Sequence, residues 1–439
     1  MKFSFKVVIL FLILFNFRVP GLYNSAFVAM VLCTFYYFYN QRTIPLTYFF
    51  RRYDATILIA TIALAFIIVL IPFLHEVGTV VQSREKRTLV ELMMLGATVY
   101  VMPLLVEGKE STAFQEIALL ICYAFALQGA LDLAAFLYSP LGDLFVTLKP
   151  GDAVLLDNDS DFGNRYRFCN LSGTRLVELT ASFGVSFIVF FLVQTKYNHP
   201  LMSGWKKYFI FLFILIGTMF SGRTGFIGFV LGLSGWLFFS FLRIVHFFER
   251  NIKYIIGFTA LLLFVFYVVL PDKQRRSFTD GVFPFAFEWY YNYIDHGTFD
   301  VGSADAIPEH YYYLYDQTLL AGHGLDAFGG ASFDKYGYTH SDAGYMNTLV
   351  YGGIPFLLVL IIYQFLYFIR PIEAALNNKP AKDWISVVFL LLLLIYIFIA
   401  EIKASMVAYL HVIEVMYLAL GSSYLIQHYK QKELGESTG

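Results

Sequence analysis

Two short motifs in this chain place chemistry-bearing side chains next to apolar runs. In Ser221-Gly222-Arg223-Thr224-Gly225 a permanent cation sits between two such runs with glycine close on either side. A guanidinium is a planar fork of donors that matches phosphate better than an ammonium does. Flanking glycines let backbone approach a ligand and free the donors of a helix start. The plain alternative for Arg223 is a side chain that snorkels to lipid phosphate. In His340-Ser341-Asp342-Ala343-Gly344-Tyr345 the imidazole of His340 titrates near neutrality and Asp342 is placed to orient it. A lone loop histidine is more often structural or solvated, but this one lies a few residues before a span, in line with the outer arginines.

Further arginines gather in the polar segments between apolar runs: Arg84, Arg87, Arg165, Arg167, Arg175, Arg275 and Arg276. Such a set suits an anion held on one face, and solvated loop charge is the competing reading. Tyr345 and the histidine of Gly322-His323-Gly324 are candidates for supporting roles beside these motifs.

The elements that must position these residues are membrane helices. The chain has 439 residues, of which 58% are hydrophobic and only 14% charged, with 48 phenylalanines. The mean hydropathy is +0.64. Soluble domains carry about 25% charged residues, and apolar runs of roughly 20 residues are what a helix needs to cross a bilayer. Continuous apolar runs, rather than alternation, exclude a barrel.

Window hydropathy predicts an all-α polytopic protein of about twelve spans forming a single integral membrane domain over 1–439. The expected spans are Phe5–Phe17, Ser25–Tyr39, Ala55–Leu74, Leu89–Val106, Ile117–Leu137, Leu176–Thr195, Tyr208–Phe220, Thr224–Leu242, Tyr254–Leu270, Tyr345–Phe368, Trp384–Ala400 and Met406–Ile426. The apolar start, Lys2 to Phe17, reads as an uncleaved first span because no small-residue cleavage site follows it. A weak excess of Lys and Arg in the short loops puts both termini in the cytoplasm. Two large loops, 138–174 and 271–344, then face outward, and 428–439 forms a polar tail. The aromatic-rich stretches Phe283–Tyr293 and His310–Leu320 inside the second loop look helical or interfacial. Tyrosines and tryptophans there suit the headgroup level, with sugar stacking as the sharper alternative.

Other chemistries find little support. A net charge of −1 gives no electrostatic footprint for nucleic acid. Three cysteines, Cys33, Cys122 and Cys169, make neither a disulfide framework nor a metal pair. Asp157-Asn158-Asp159-Ser160-Asp161 starts like a calcium loop but has Phe162 where glycine is needed and Phe168 where glutamate is needed. Neither a metalloprotease helix motif nor a nucleotide-binding phosphate loop is present, so no metal or cofactor is expected. Glu401, Lys403, His411 and Glu414 lie in or beside spans, where they fit a proton-coupled transporter or the capping of a turn.

Taken in order, Ser172-Gly173-Thr174-Arg175, Ser221-Gly222-Arg223-Thr224-Gly225, Leu320-Ala321-Gly322-His323-Gly324-Leu325-Asp326-Ala327-Phe328, the His340–Tyr345 motif and Tyr351-Gly352-Gly353 resemble the Wzy-type O-antigen polymerases. More distantly they resemble the O-antigen ligases of the same membrane glycosyltransferase superfamily. The resemblance spans most of the chain through short motifs whose order and membrane placement carry it. It implies a GT-C-like helical fold in the bacterial inner membrane, with a site facing the periplasm and working without metal or nucleotide. Donor and acceptor would be oligosaccharides linked to undecaprenyl diphosphate, and a separate chain-length regulator would be a partner. By the same resemblance Arg223 and His340 are catalytic. Arg87, Arg165, Arg167, Arg175, Arg275 and Arg276 are diphosphate ligands, with Asp342, Tyr345 and His323 supporting. The arginine-to-glycine spacing described for some members is absent at the loop arginines, so the choice among them stays open. The ligase and a lipid-linked oligosaccharide flippase are the rival functions.

Overall fold

The computed structural model of the protein describes residues 2–21, 24–40, 55–75, 96–98, 100–102, 104–106, 113–148, 171–172, 176–197, 199–240, 244–299, 302, 307–325, 341, 343–376 and 383–403. The described residues are 85% helical, and among them there is no strand. In chain order the helices are α1 (Phe3–Phe15), α2 (Ser25–Tyr39), α3 (Ala55–Leu74), α4 (Ala113–Leu137), α5 (Ser139–Thr147), α6 (Leu176–Lys196) and α7 (Trp205–Ser221). There follow α8 (Thr224–Ser240), α9 (Ile244–Phe264), α10 (Asp272–Ser277), α11 (Glu288–His296), α12 (Asp316–Ala321), α13 (Gly344–Leu376) and α14 (Trp384–Glu401).

Among the described residues five helices are long and apolar enough to cross a membrane: Phe114–Leu137, Glu178–Lys196, Ile252–Val269, Gly344–Glu373 and Trp384–Glu401. Shorter apolar helices lie at Phe3–Phe15, Ser25–Tyr39, Ile59–Leu74 and Thr224–Ser240. The expected span Met406–Ile426 lies outside the described residues, as does much of Leu89–Val106.

The chain divides into two compact units. One comprises Lys2–Val28 and Ala118–Val301, the other Ala29–Ile117 and Gly302–Gly439. In the first, Phe15 meets the Phe125 ring edge-on at 5.1 Å, and Phe125 meets Phe183 at 5.1 Å in the same manner. Glycines then let helices touch backbone to backbone. A Cβ on Gly228 of α8 would fall 2.3 Å from the Gly184 carbonyl oxygen of α6, and one on Gly232 would fall 3.0 Å from the Ile188 Cα. Because lipid tails are as apolar as leucine, close van der Waals packing of small residues is what holds membrane helices together. Gly225, Gly228, Gly232 and Gly235, spaced three and four residues apart, are all buried on α8.

The second unit is built on α13, which is interrupted at Gly353, where φ is 68° and ψ −169°. A broken helix strands carbonyls at the end of its first half, and in apolar surroundings these must find donors. The Gly322-His323-Gly324 turn supplies them: His323 N donates to the Val350 carbonyl and Gly324 N to that of Tyr351, each at 2.8 Å. The glycines are required by the fit, since a Cβ on Gly322 would lie 2.5 Å from the Tyr351 carbonyl group. The Tyr351 hydroxyl, itself fully buried, donates to the Ile68 carbonyl of α3.

Candidate functional site

Arg223 occupies the break between α7 and α8. Helix α7 ends as Gly222 N donates to the Thr218 carbonyl at 2.9 Å, with Gly222 at φ 148° and ψ 176°, and α8 restarts as Phe226 N donates to the Arg223 carbonyl at 3.0 Å. The glycine thus turns the chain between two apolar helices and leaves Arg223 at the corner. Around it Met219, Phe220, Phe278, Val282 and Ala286 form a buried cluster, with Phe226, Phe283 and Phe287 packed against it.

The guanidinium is held on two sides. It forms an ion pair with the Glu288 carboxylate, and its carbon lies 4.8 Å from the centroid of the Phe285 ring. Side-chain exposure is 18% for Arg223 and 30% for Glu288, so the pair is only partly screened by solvent. A cation over an aromatic face beside a carboxylate is fixed in direction as well as in charge. Sequence reasoning missed Glu288. Its signal was slight, an acidic residue opening a helix after an aromatic run, which favours a helix start and names no partner.

Arg275 and Arg276 lie on α10, which is bracketed by π-helical turns at Val265–Val269 and Phe278–Val282. Arg275 is engaged locally: it pairs with Asp272 and donates to the Tyr267 carbonyl at 3.1 Å. Arg276 lines an open groove of about 450 Å³ together with Asp272, Lys273, Ser277 and Asp280. The mixed charge of that groove makes it a poorer anion site than two arginines alone suggest.

In the second unit the backbone just before α13 is pinned. The Ser341 hydroxyl donates to the His310 carbonyl at 2.9 Å and accepts from Ala343 N at 3.2 Å, while Asn347 Nδ2 donates to the Ser341 carbonyl at 2.7 Å. Tyr345 lies on α13, and its hydroxyl donates to the Phe398 carbonyl of α14 at 3.1 Å. The His323 ring bonds the Thr318 hydroxyl at 2.6 Å, so both its side chain and its backbone serve the turn that clamps α13. His340, Asp342, Arg87, Arg165, Arg167 and Arg175 lie outside the described residues.

The stretch His310–Leu320 departs from the helical expectation. Tyr311–Tyr315 are not helical, and α12 begins only at Asp316. The reason is tertiary: the Tyr311 hydroxyl reaches the Ile402 carbonyl at 2.8 Å. Burial first, and then the nearby Glu401 charge, push the Tyr311 phenol up to about 12. Glu401 itself is 2% exposed at the end of α14. Phe283–Tyr293, by contrast, is helical apart from the turn at Phe287.

Among the described residues no group of three His, Cys, Asp or Glu is arranged to hold a metal ion. No protein-family model and no curated protein matches the chain.

Proposed function

We propose that the chain is a membrane glycosyltransferase that polymerises oligosaccharide repeat units carried on undecaprenyl diphosphate, at the periplasmic face of a bacterial inner membrane. In this reading it has about twelve spans, a GT-C-like arrangement and both termini in the cytoplasm, and it works with a chain-length regulator. The observation that carries the reading is Arg223: a cation at the corner between two apolar helices, held by a carboxylate and a ring. Such an arrangement speaks against simple snorkelling, for which a protein partner is not needed.

The reaction asks for two things. An acceptor hydroxyl attacks the anomeric carbon of the donor sugar, the bond from that carbon to the diphosphate oxygen breaks, and undecaprenyl diphosphate leaves with the electron pair. Arg223 stabilises the charge that grows on the leaving diphosphate, and fixed donors of this kind contribute about 2.7–4 kcal/mol in comparable sites. His340 takes the hydroxyl proton, a role usually contributing ~10²–10⁴-fold.

The test is the surface-polysaccharide ladder of the native host lacking this gene, complemented with wild type, Arg223→Ala, Arg223→Lys or His340→Ala at matched membrane levels. Collapse to core plus one repeat unit in the alanine variants is the expected result. Lysine at 223 keeps the charge but loses the fork, so its ladder should be short rather than absent. Loss of every attached unit would point to ligation or flipping instead. A full ladder with His340→Ala would remove the base assignment.

A further inference from the structure

If Arg223 holds a diphosphate, something already stands where that anion would bind. Glu288 places its carboxylate on the Arg223 guanidinium, while the Phe285 ring covers another side of it. Carboxylate and phosphate oxygens seek the same bidentate donors, so both cannot occupy one fork fully.

We infer that Glu288 is an internal occupant of the Arg223 anion site, displaced when the diphosphate end of a lipid-linked substrate arrives. The inference rests on the reading of Arg223 given above. Glu288 is well suited to leave. It is the first residue of α11, it follows a non-helical turn at Phe287 with φ −116° and ψ 36°, and it is the more exposed partner of the pair. Displacing it moves the start of α11, a helix whose Trp289, Tyr290 and Tyr293 are about half exposed. While no substrate is present, the carboxylate supplies a counter-charge to the guanidinium. When substrate binds, the released carboxylate turns to water.

Competition of this kind lowers apparent affinity by the fraction of protein in which the site is already taken. The experiment is binding of farnesyl diphosphate, a short isoprenoid with the same head, to the full-length protein in detergent. Wild type, Glu288→Gln, Arg223→Ala and the double variant are compared. Glu288→Gln should bind about threefold or more tightly, and Arg223→Ala should bind weakly with or without Glu288. Unchanged or weaker binding by Glu288→Gln, alongside weak binding by Arg223→Ala, overturns the competition and leaves the diphosphate reading intact. Wild-type affinity in Arg223→Ala overturns both. Because Glu288→Gln could disturb folding, a second measurement uses the native pair: farnesyl diphosphate should shift the emission of Trp289, taken as the difference between wild type and Trp289→Phe. A difference spectrum that does not move with ligand, at concentrations that saturate binding, also overturns the displacement.

Discussion

Replacing Gly353 by alanine puts the interruption of α13 under direct test. The residue sits at φ 68° and ψ −169°, a region that L side chains rarely adopt. Holding a non-glycine residue in such a conformation costs about 1–3 kcal/mol. There is also no room. The new Cβ would lie 2.8 Å from the Leu319 oxygen, the Leu320 carbon and the Ala321 nitrogen, all of them backbone atoms. If the 319–325 segment shifts to relieve this, it strains the His323 N–Val350 O and Gly324 N–Tyr351 O bonds, each worth about 1 kcal/mol. The expected loss is therefore about 3–5 kcal/mol, near the top of the range for single substitutions. Gly297→Ala is the matched control, since it too has positive φ, 72°, but meets nothing within 4 Å. Its cost should be only the conformational one, about 1–2 kcal/mol. Melting followed by fluorescence-detected size exclusion in detergent reads both. A Gly353→Ala protein that melts no earlier than Gly297→Ala would refute the reasoning that the clamp and the kink are one rigid unit.

Two further expectations follow from described contacts. Gly228→Val should part α8 from α6, because even a Cβ there overlaps the Gly184 backbone at 2.3–2.5 Å, and the loss should appear as reduced yield of folded protein and a markedly lower melting point. The Tyr311 phenol, whose pKa is raised from 10 to about 12, contributes stability that is fully present below pH 10 and is lost as the pH rises towards 12. The tyrosinate absorbance missing from Tyr311→Phe should accordingly appear near pH 12, and an onset near pH 10 would show the ring to be solvated.

Much of the architecture was legible because apolar length is a local property. Most of the long apolar helices overlap the runs that hydropathy picks out, whereas α5, α10, α11 and α12 lie in the stretches expected as polar loops, and the Arg223 corner was visible as glycines around a charge between two apolar runs. What the sequence could not show is pairing across distance. Nothing local marks Glu288 as the partner of Arg223, because an ion pair depends on where two chain segments meet. The Gly322-His323-Gly324 and Tyr351-Gly352-Gly353 motifs both stand out in the sequence, yet hydropathy predicts one span at Tyr345–Phe368. Only the fold reveals that one motif breaks the helix and the other supplies the donors for the break. The run Tyr311–Tyr315, read as helical or interfacial, is not helical for a related reason, since aromatic residues tolerate helix and extended chain alike until a distant acceptor such as the Ile402 carbonyl decides.

The glycine face of α8 works as a ratchet for the height of Arg223. With Gly228 seated on Gly184, a small slide along α6 would carry the residue that lacks a Cβ out of the space that only a hydrogen fills. The next comfortable seat is about one helical turn away, roughly 5.4 Å, where another glycine takes the place of Gly228. The depth of the guanidinium relative to α6 is therefore stepped and not continuous. If the substrate is lipid-anchored, as proposed, a charged head at the wrong level cannot be met by a slight piston movement of α8. The substrate must adjust itself, by tilting its tail or thinning the bilayer locally.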